Sequence, residues 1–295
     1  MSSSTERPPS PAGQAPLPAG FPPLPVGFVW VTCGADRFAA ADGALVTALL
    51  EQGLLEASGV RRALAGGGGS PGRARTAAVS LAGPDIELVL RGLRRGGLLG
   101  PLLGAALPGP ARPFRELAAT AALRAAGAPV PRPAVAVAWR HGLVWNAAVA
   151  TRLEADALDA GAFLAAHPKR ARLRAALAAA GRAVRRFHDA GGSHPDLHVG
   201  NLLLRGDPCE ALVIDLDGAR VGPRLDAPAR MGELMRLYRS LRKRDLLARV
   251  GERGCLAFFR AYVAGDRALR RALLARLRAE QRRVSLHALH YRNRP

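Results

Sequence analysis

Lysine is nearly missing from this 295-residue chain: only Lys169 and Lys243 occur, so almost every basic residue is Arg. In a chain so rich in Ala, Gly, Pro and Leu, that bias is what a GC-rich coding sequence writes, and by itself it carries no function. Cysteine is also scarce. Cys33, Cys209 and Cys255 are scattered singly, which excludes a disulfide framework and a zinc pattern and points to a reducing, cytosolic compartment. Aromatic residues make up 5%, and no nucleic-acid motif accompanies them, so base-reading machinery is not expected. No uninterrupted apolar stretch reaches the roughly 18 residues of a membrane span. The first 25 residues are Pro- and Ser-rich, with no apolar run after a basic start; they predict a disordered leader and no secretory signal.

What is present is an apolar fraction of 49% and a length that fits one large domain or two lobes. The formal charge is +20, and it is unevenly spread. Up to residue 160 there are 15 basic and 11 acidic residues; from 161 onward there are 28 and 12. A basic C-terminal half implies an anionic partner: a phosphate-rich small molecule, nucleic acid, or an anionic membrane surface.

Periodicity divides the chain in two. Phe28–Val31 reads as a strand and Ala41–Leu55 as a modest helix. Gly66–Gly72 reads as a loop, followed by strands at Ala77–Leu81 and Ile86–Leu90. Pro113–Ala126 is helical in pattern, since Phe114, Leu117, Ala118 and Ala121 share a face and Gly127 follows the end. Strands are expected near Ala134–Ala138 and Leu143–Thr151. Beyond residue 159 the pattern turns helical. Leu173, Leu177, Ala180, Val184 and Phe187 recur over about four turns up to Gly191-Gly192. A strand pair, Leu202–Leu204 and Ala211–Ile214, interrupts the helices. Helical spacing resumes over 227–283, with Met231, Leu234, Leu237 and Leu241 on one face.

The chemistry concentrates at Ser193-His194-Pro195-Asp196-Leu197-His198-Val199-Gly200-Asn201 and at Val213-Ile214-Asp215-Leu216-Asp217-Gly218. Two carboxylates and an amide oxygen on one loop–hairpin–loop are hard oxygen donors that suit Mg²⁺ bound together with substrate phosphates. A remaining carboxylate can take or orient a hydroxyl proton. An N-capping Asp or a turn Asn would account for either residue singly, but poorly for the ordered set.

The spacing H-x-D-x-x-x-x-N, then an apolar strand and I-D-x-D, resembles the catalytic and metal loops of the protein-kinase-like fold. His194, Asp196 and Asn201 match the first loop and Asp215 the second. Asp215-Leu216-Asp217 departs from the Asp-Phe-Gly form and is more similar to small-molecule and sugar kinases. Val89–Gly100, Arg115-Glu116-Leu117 and Gly127–Pro133 resemble the 3-deoxy-D-manno-octulosonic acid (Kdo) kinases and the related heptose kinases of lipopolysaccharide assembly. The resemblance covers residues 60–250. It implies an α+β bilobal fold: a leader over 1–25, a strand-rich N-lobe with one main helix over 26–152, and a mostly helical C-lobe over 153–295.

By the same resemblance Asp196 is the catalytic residue, Asn201 and Asp215 hold Mg²⁺, and Asp217 is a second metal contact or a loop brace. Arg91 stands where other kinases carry a phosphate-gripping Lys, and Glu116 would pin it. Gly67, Gly68 and Gly69 would cover the nucleotide phosphates with backbone N–H groups. Arg152 falls at the adenine hinge. Arg94 and Arg95 are either phosphate or carboxylate forks or a solvated basic turn, and His198 is a candidate substrate contact. Arg236, Arg239, Arg242, Lys243 and Arg244 form a basic face, solvated or set against anionic lipid. His287 and His290 read as surface or packing residues.

The implied activity is transfer of the ATP γ-phosphate to a Kdo hydroxyl, the 4-hydroxyl by resemblance, on a lipid A precursor. The enzyme would be peripheral on the cytoplasmic face of the inner membrane, with no specific nucleic-acid partner. The alternatives are an aminoglycoside-type phosphotransferase, or a nucleotide-binding pseudokinase motivated by the missing Lys.

Overall fold

A run of alanines, Ala39 to Ala41, forms part of a buried strand of the N-terminal sheet. In the computed structural model, which describes residues 20–68, 75–83, 85–93 and 106–277, the chain divides into two compact units. Unit one comprises residues 1–118 and 133–151, and unit two comprises 119–132 and 152–295.

Unit one is built on a six-stranded sheet of β1 (Phe28–Cys33), β2 (Arg37–Asp42), β3 (Thr76–Leu81), β4 (Ile86–Gly92), β5 (Pro133–His141) and β6 (Val144–Arg152), in the order β1-β2-β5-β6-β4-β3. The pairs β1–β2, β2–β5, β5–β6 and β3–β4 run antiparallel. Successive residues of β2 and β5 alternate between two cores. Ala39, Ala41, Val135, Val137 and Trp139 pack with Leu45, Leu49, Leu54 and Val60 from α1 (Val46–Glu51), α2 (Ala57–Gly66) and their flanks. Phe38, Ala40, Ala136 and Ala138 pack on the other face with Phe114 and Leu117 of α3 (Arg112–Ala125).

Three expectations need correction. The helix expected over Ala41–Leu55 is displaced, because Arg37–Asp42 is a strand buried on both faces, and small apolar residues there carry no period of two. Unit one contains α1 and α2 besides the part of the main helix α3 up to Ala118, and Gly66 ends α2 rather than opening a loop. Within the segment 1–25 expected as a leader, the described residues are packed: the Phe21 ring lies 4.9–5.5 Å from Trp30, Phe38 and Phe114, and Leu24 packs on the same core.

Unit two holds β7 (Leu158–Asp159), α4 (Ala160–Ala165), α5 (Arg170–Asp189), β8 (Gly192–Ser193), β9 (Leu202–Arg205), β10 (Glu210–Val213), β11 (Arg220–Val221), α6 (Ala227–Lys243) and α7 (Leu247–Val263). A further helix covers 267–277. Asp159 and Asp226 cap α4 and α6 by accepting from Ala162 N at 3.0 Å and Ala229 N at 2.9 Å, worth about 1 kcal/mol each. The long helix α5 is the spine: Ala176, Ala180, Val184 and Phe187 are buried in the core of this unit. At Gly181 a Cβ would stand 2.3 Å from the Phe258 carbonyl oxygen, so this glycine sets how closely α5 and α7 approach.

Candidate active site

The two motif loops are brought to one end of a hairpin by strand pairing. β8 pairs antiparallel with β11, Ser193 opposite Arg220, which clamps both ends of the segment 194–219. Inside it β9 and β10 pair with Leu202 opposite Val213, so Asn201 and Ile214 face each other where the hairpin opens. The Ile214 N–H donates to the Asn201 carbonyl at 3.0 Å. Asp215, the next residue, is thereby held beside Asn201. Its φ of +58° lies in the left-handed region, a conformation that costs a non-glycine residue free energy and recurs at functional sites.

His194 is the internal brace of this arrangement and is 1% exposed. Its Nδ1 accepts from the Asp196 N–H at 3.1 Å, so Nε2 carries the proton and donates to the Ile214 carbonyl at 3.1 Å. One ring thus ties the first loop to the second. Burial pushes its pKa below the ordinary 6.5, against the pull of the Ile214 carbonyl and nearby carboxylates, so the ring is neutral as its two bonds require. Asn201 is buried and donates from Nδ2 to the Asp196 carbonyl at 2.9 Å. That fixes the amide flip and leaves Oδ1 as an acceptor. Asp196 projects outward, with its side chain 76% exposed. His198 Nε2 lies 3.7 Å from Asp196 Oδ2, too far for a hydrogen bond, and its Nδ1 is buried with no hydrogen-bond partner among the described residues. Leu216 is buried between Asp215 and Asp217.

Unit one, taken by itself, holds another of the candidate groups. Arg91, near the end of β4, donates from Nη2 to Glu116 Oε1 of α3 at 2.5 Å, and both side chains are largely buried. Gly67 has a local packing role: a Cβ there would lie 2.1 Å from the Thr76 carbonyl oxygen, and the Gly68 carbonyl accepts from the Thr76 N–H at 3.2 Å. Gly69, Arg94, Arg95, His287 and His290 lie outside the described residues. Arg152 closes β6 with its N–H on the Arg132 carbonyl at 2.8 Å; its Nε is buried without a hydrogen-bond partner among the described residues. Of the basic run on α6, Arg236 turns inward, donating to the His194 carbonyl at 3.4 Å, while Arg239, Arg242, Lys243 and Arg244 are exposed.

Among the described residues no three His, Cys, Asp or Glu side chains converge as a metal cluster. The free Asn201 Oδ1 and the outward Asp215 carboxylate still fit Mg²⁺, which takes one or two protein oxygens and completes its shell with water and phosphates. The motif-based reading missed Glu233 and His188, which support the His194 loop from behind. Glu233 Oε1 accepts from Ser193 Oγ at 2.8 Å and from the His194 N–H at 3.0 Å. The available signal was Arg230 and Glu233 lying three apart on a helical face shared with Leu237, where ionisable residues are out of place.

The chain matches the lipopolysaccharide kinase (Kdo/WaaP) family over residues 69–262. It is 33% identical to a 3-deoxy-D-manno-octulosonic acid kinase of Vibrio cholerae over 60% of this chain and 73% of the relative. It is 36% identical to one from Stenotrophomonas maltophilia over 45% and 51%. A solved structure of WaaP in complex with acyl carrier protein superposes with a TM-score of 0.53 at 22% identity, covering 78% of this chain and 91% of that one, a likeness of fold.

Proposed function

The chain belongs to the lipopolysaccharide kinase (Kdo/WaaP) family, with a protein-kinase-like fold, and from that premise we propose that it is an ATP-dependent kinase phosphorylating a Kdo hydroxyl on a lipid A precursor. The observation that carries the reading is the hairpin-end geometry, with Asp196 outward, the Asn201 oxygen free and Asp215 held in a left-handed backbone beside it.

In this reading Asp196 orients the acceptor hydroxyl and takes its proton as attack on the γ-phosphate proceeds. Its carboxylate is exposed, so the acceptor can reach it, while the loop carrying it is fixed by His194 and Asn201. Asn201 and Asp215 would hold Mg²⁺, which supplies neutralisation of phosphate charge when bound; Asp217 braces the turn. Arg91, oriented by Glu116, would present its guanidinium to the nucleotide phosphates. The formed Arg91–Glu116 pair supports an active enzyme over a pseudokinase: the Arg has kept the carboxylate partner that the role needs. The Gly66–Gly72 segment, Arg94, Arg95, Arg152 and His198 stay as proposed nucleotide or acceptor contacts, and units one and two as the N- and C-lobes.

We further infer a peripheral position on the inner membrane, with the phosphorylated hydroxyl being the 4-hydroxyl. No helix of the described residues is long and apolar enough to cross a membrane. Arg239 and Arg242 line an otherwise apolar cavity of about 1020 Å³ in unit two together with the exposed Tyr238 and Leu256, a lining suited to anionic amphiphiles.

The test is transfer of labelled γ-phosphate from ATP with Mg²⁺ to Kdo-bearing lipid A in detergent, beside Asp196→Ala and an aminoglycoside panel. Phosphorylated Kdo-lipid that disappears in the variant is expected. Transfer to the panel alone would move the protein to the small-molecule branch, and ATP binding with no transfer would make it a pseudokinase.

A further inference from the structure

The turn end of the β9–β10 hairpin, away from the motif loops, lines a second cavity of unit two, of about 610 Å³. Arg205 pairs with Glu210 there, three residues along β9 from the Leu202–Val213 pair at the open end, roughly 10 Å at the rise of a strand. The Val213 N–H donates to the Pro129 carbonyl at 2.8 Å, which ties β10 to the segment 127–130 that makes another wall. Helix α5 makes the third. Its Ala179, Arg182, Ala183 and Arg186 follow the i, i+3, i+4, i+7 spacing of one helix face. The two alanines are buried and too short to fill the space, so that face is hollow at the alanines and charged beside them.

Four arginines and one carboxylate line this cavity: Arg124, Arg182, Arg186 and Arg205 against Glu210. The carboxylate is taken up by Arg205, which donates to Glu210 Oε2 from Nε at 3.2 Å and from Nη2 at 2.9 Å, and pairs also with Glu154. Arg124 and Arg186 are oriented by main chain instead. Arg124 Nη1 donates to the Val130 carbonyl at 3.0 Å, and Arg186 Nη2 to the Gly127 carbonyl at 2.7 Å. A carbonyl holds a guanidinium in place without cancelling its charge. Among the described residues no carboxylate pairs with Arg124, Arg182 or Arg186. Arg182 and Arg186 are also like charges four apart on a helix, a destabilising arrangement when nothing offsets it. Outside the lining, Asp207 and Arg172 both act on the Cys209 thiol and oppose each other.

We propose that this cavity is a binding site for a phosphorylated ligand, with a phosphomonoester or diphosphate group held by Arg124, Arg182 and Arg186. The planar fork of Arg matches phosphate oxygens, and a bound anion relieves the repulsion among three converging cations. The volume is that of a small-molecule site. The site stands on unit two alone and does not depend on the kinase reading. Its chemistry has two sources, a free phosphate compound and a phospholipid headgroup, and the experiment separates them.

Cys209 lines the cavity and serves as the reporter. Burial, the largest influence, raises its thiol above the ordinary 9.0, while Arg172 and Arg182 pull it down. An anion beside Arg182 therefore covers the thiol and weakens the field that favours its thiolate. Maleimide modification of the full-length protein is followed by peptide mass, with Cys33 and Cys255 as internal references. Inorganic pyrophosphate, against chloride of equal ionic strength, should slow modification at Cys209 by about threefold or more and leave the other two unchanged. Arg182→Gln, on an exposed side chain, should raise the pyrophosphate concentration needed by about tenfold, and Arg186→Gln should do the same. Arg182→Lys should recover part of the loss. Arg91→Ala in unit one should leave the protection intact. Protection by phosphatidylcholine vesicles carrying phosphatidic acid, and not by pyrophosphate, assigns the site to a lipid headgroup; protection by pyrophosphate assigns it to a free phosphate compound. Protection by neither overturns the site. So does equal slowing at all three cysteines, protection undiminished in both Gln variants, or protection lost in Arg91→Ala, which would place the anion at the nucleotide contacts.

Discussion

A guanidinium on β4 does what a lone ammonium does less well. In the proposed role Arg91, paired with Glu116, would present a planar fork to phosphate where an ammonium presents a point charge. Arg91→Ala should therefore lower kcat/KM for ATP by roughly 10²–10³, the range for removing one preorganised charge-stabilising donor. Arg91→Lys should recover part of that loss, since it restores the charge without the fork. Steady-state transfer at varied ATP reads both. Asp196 is the opposite kind of residue, exposed and unburdened by packing. Asp196→Asn should cut kcat by roughly 10²–10⁴ with an unchanged ATP KM. It should leave unfolding within about 0.5 kcal/mol of wild type, as surface substitutions do. A large stability loss in Asp196→Asn would mean the side chain braces the loop instead.

Helices and strands were legible to different degrees, for identifiable reasons. The amphipathic stripe of α5 and the apolar β9–β10 pair announce themselves because each has one wet side, so the polar residues keep the period. β2 does not, since both its faces are buried and Arg37–Asp42 shows only Phe and Ala where a polar alternation would have been the signal. The Asp196–Asn201 and Asp215 loops stand out in the sequence because polar side chains recur there at fixed spacing, as the proposed metal and phosphate chemistry would require. Glu233 and His188 do not, because Glu233 meets His188 across 45 residues of chain and the His194 N–H across 39, through bonds that leave no local pattern. The α5–α7 crossing gives this scale its test. Gly181→Ala places a Cβ 2.3 Å from the Phe258 carbonyl oxygen, and backbone has to shift to admit it. The expected cost is about 1–3 kcal/mol. That lowers the thermal midpoint by roughly 2–4 °C per kcal/mol for a unit of this size, with ATP binding intact. An unchanged midpoint would show that the two helices can part freely.

Charge acts on the molecule as a whole in two separable ways. The basic surplus beyond residue 160 should bring the protein to anionic vesicles at low ionic strength and release it as salt shortens the Debye length from about 10 Å at 0.1 M to about 3 Å at 1 M. Cosedimentation with phosphatidylglycerol vesicles, and its absence with phosphatidylcholine alone, would check this. Salt-insensitive binding would point to apolar insertion. The buried groups set the second response, stability against pH. His188 and His194 are both held below 6.5 by burial, so the folded chain refuses protons that the unfolded chain accepts. Their contribution is complete above 6.5 and is lost as pH falls from there toward their lowered values. Glu233, although burial would raise it, is held below 4.5 by His188, Ser193 and the His194 N–H. Asp189, against the same desolvation, is held below 3.8 by Arg230 and Arg185. Their stabilisation is present above the ordinary carboxylate range and drains at lower pH, in the same direction. Chemical denaturation should therefore show stability falling in two stages, first between about pH 7 and 5 and again below about pH 4.5. His188→Gln should flatten part of the first stage while leaving the second. A stability curve level from pH 7 to 5 would mean that both imidazoles titrate in the folded protein as they do in the unfolded chain, and that neither is sealed from water as the structure has them.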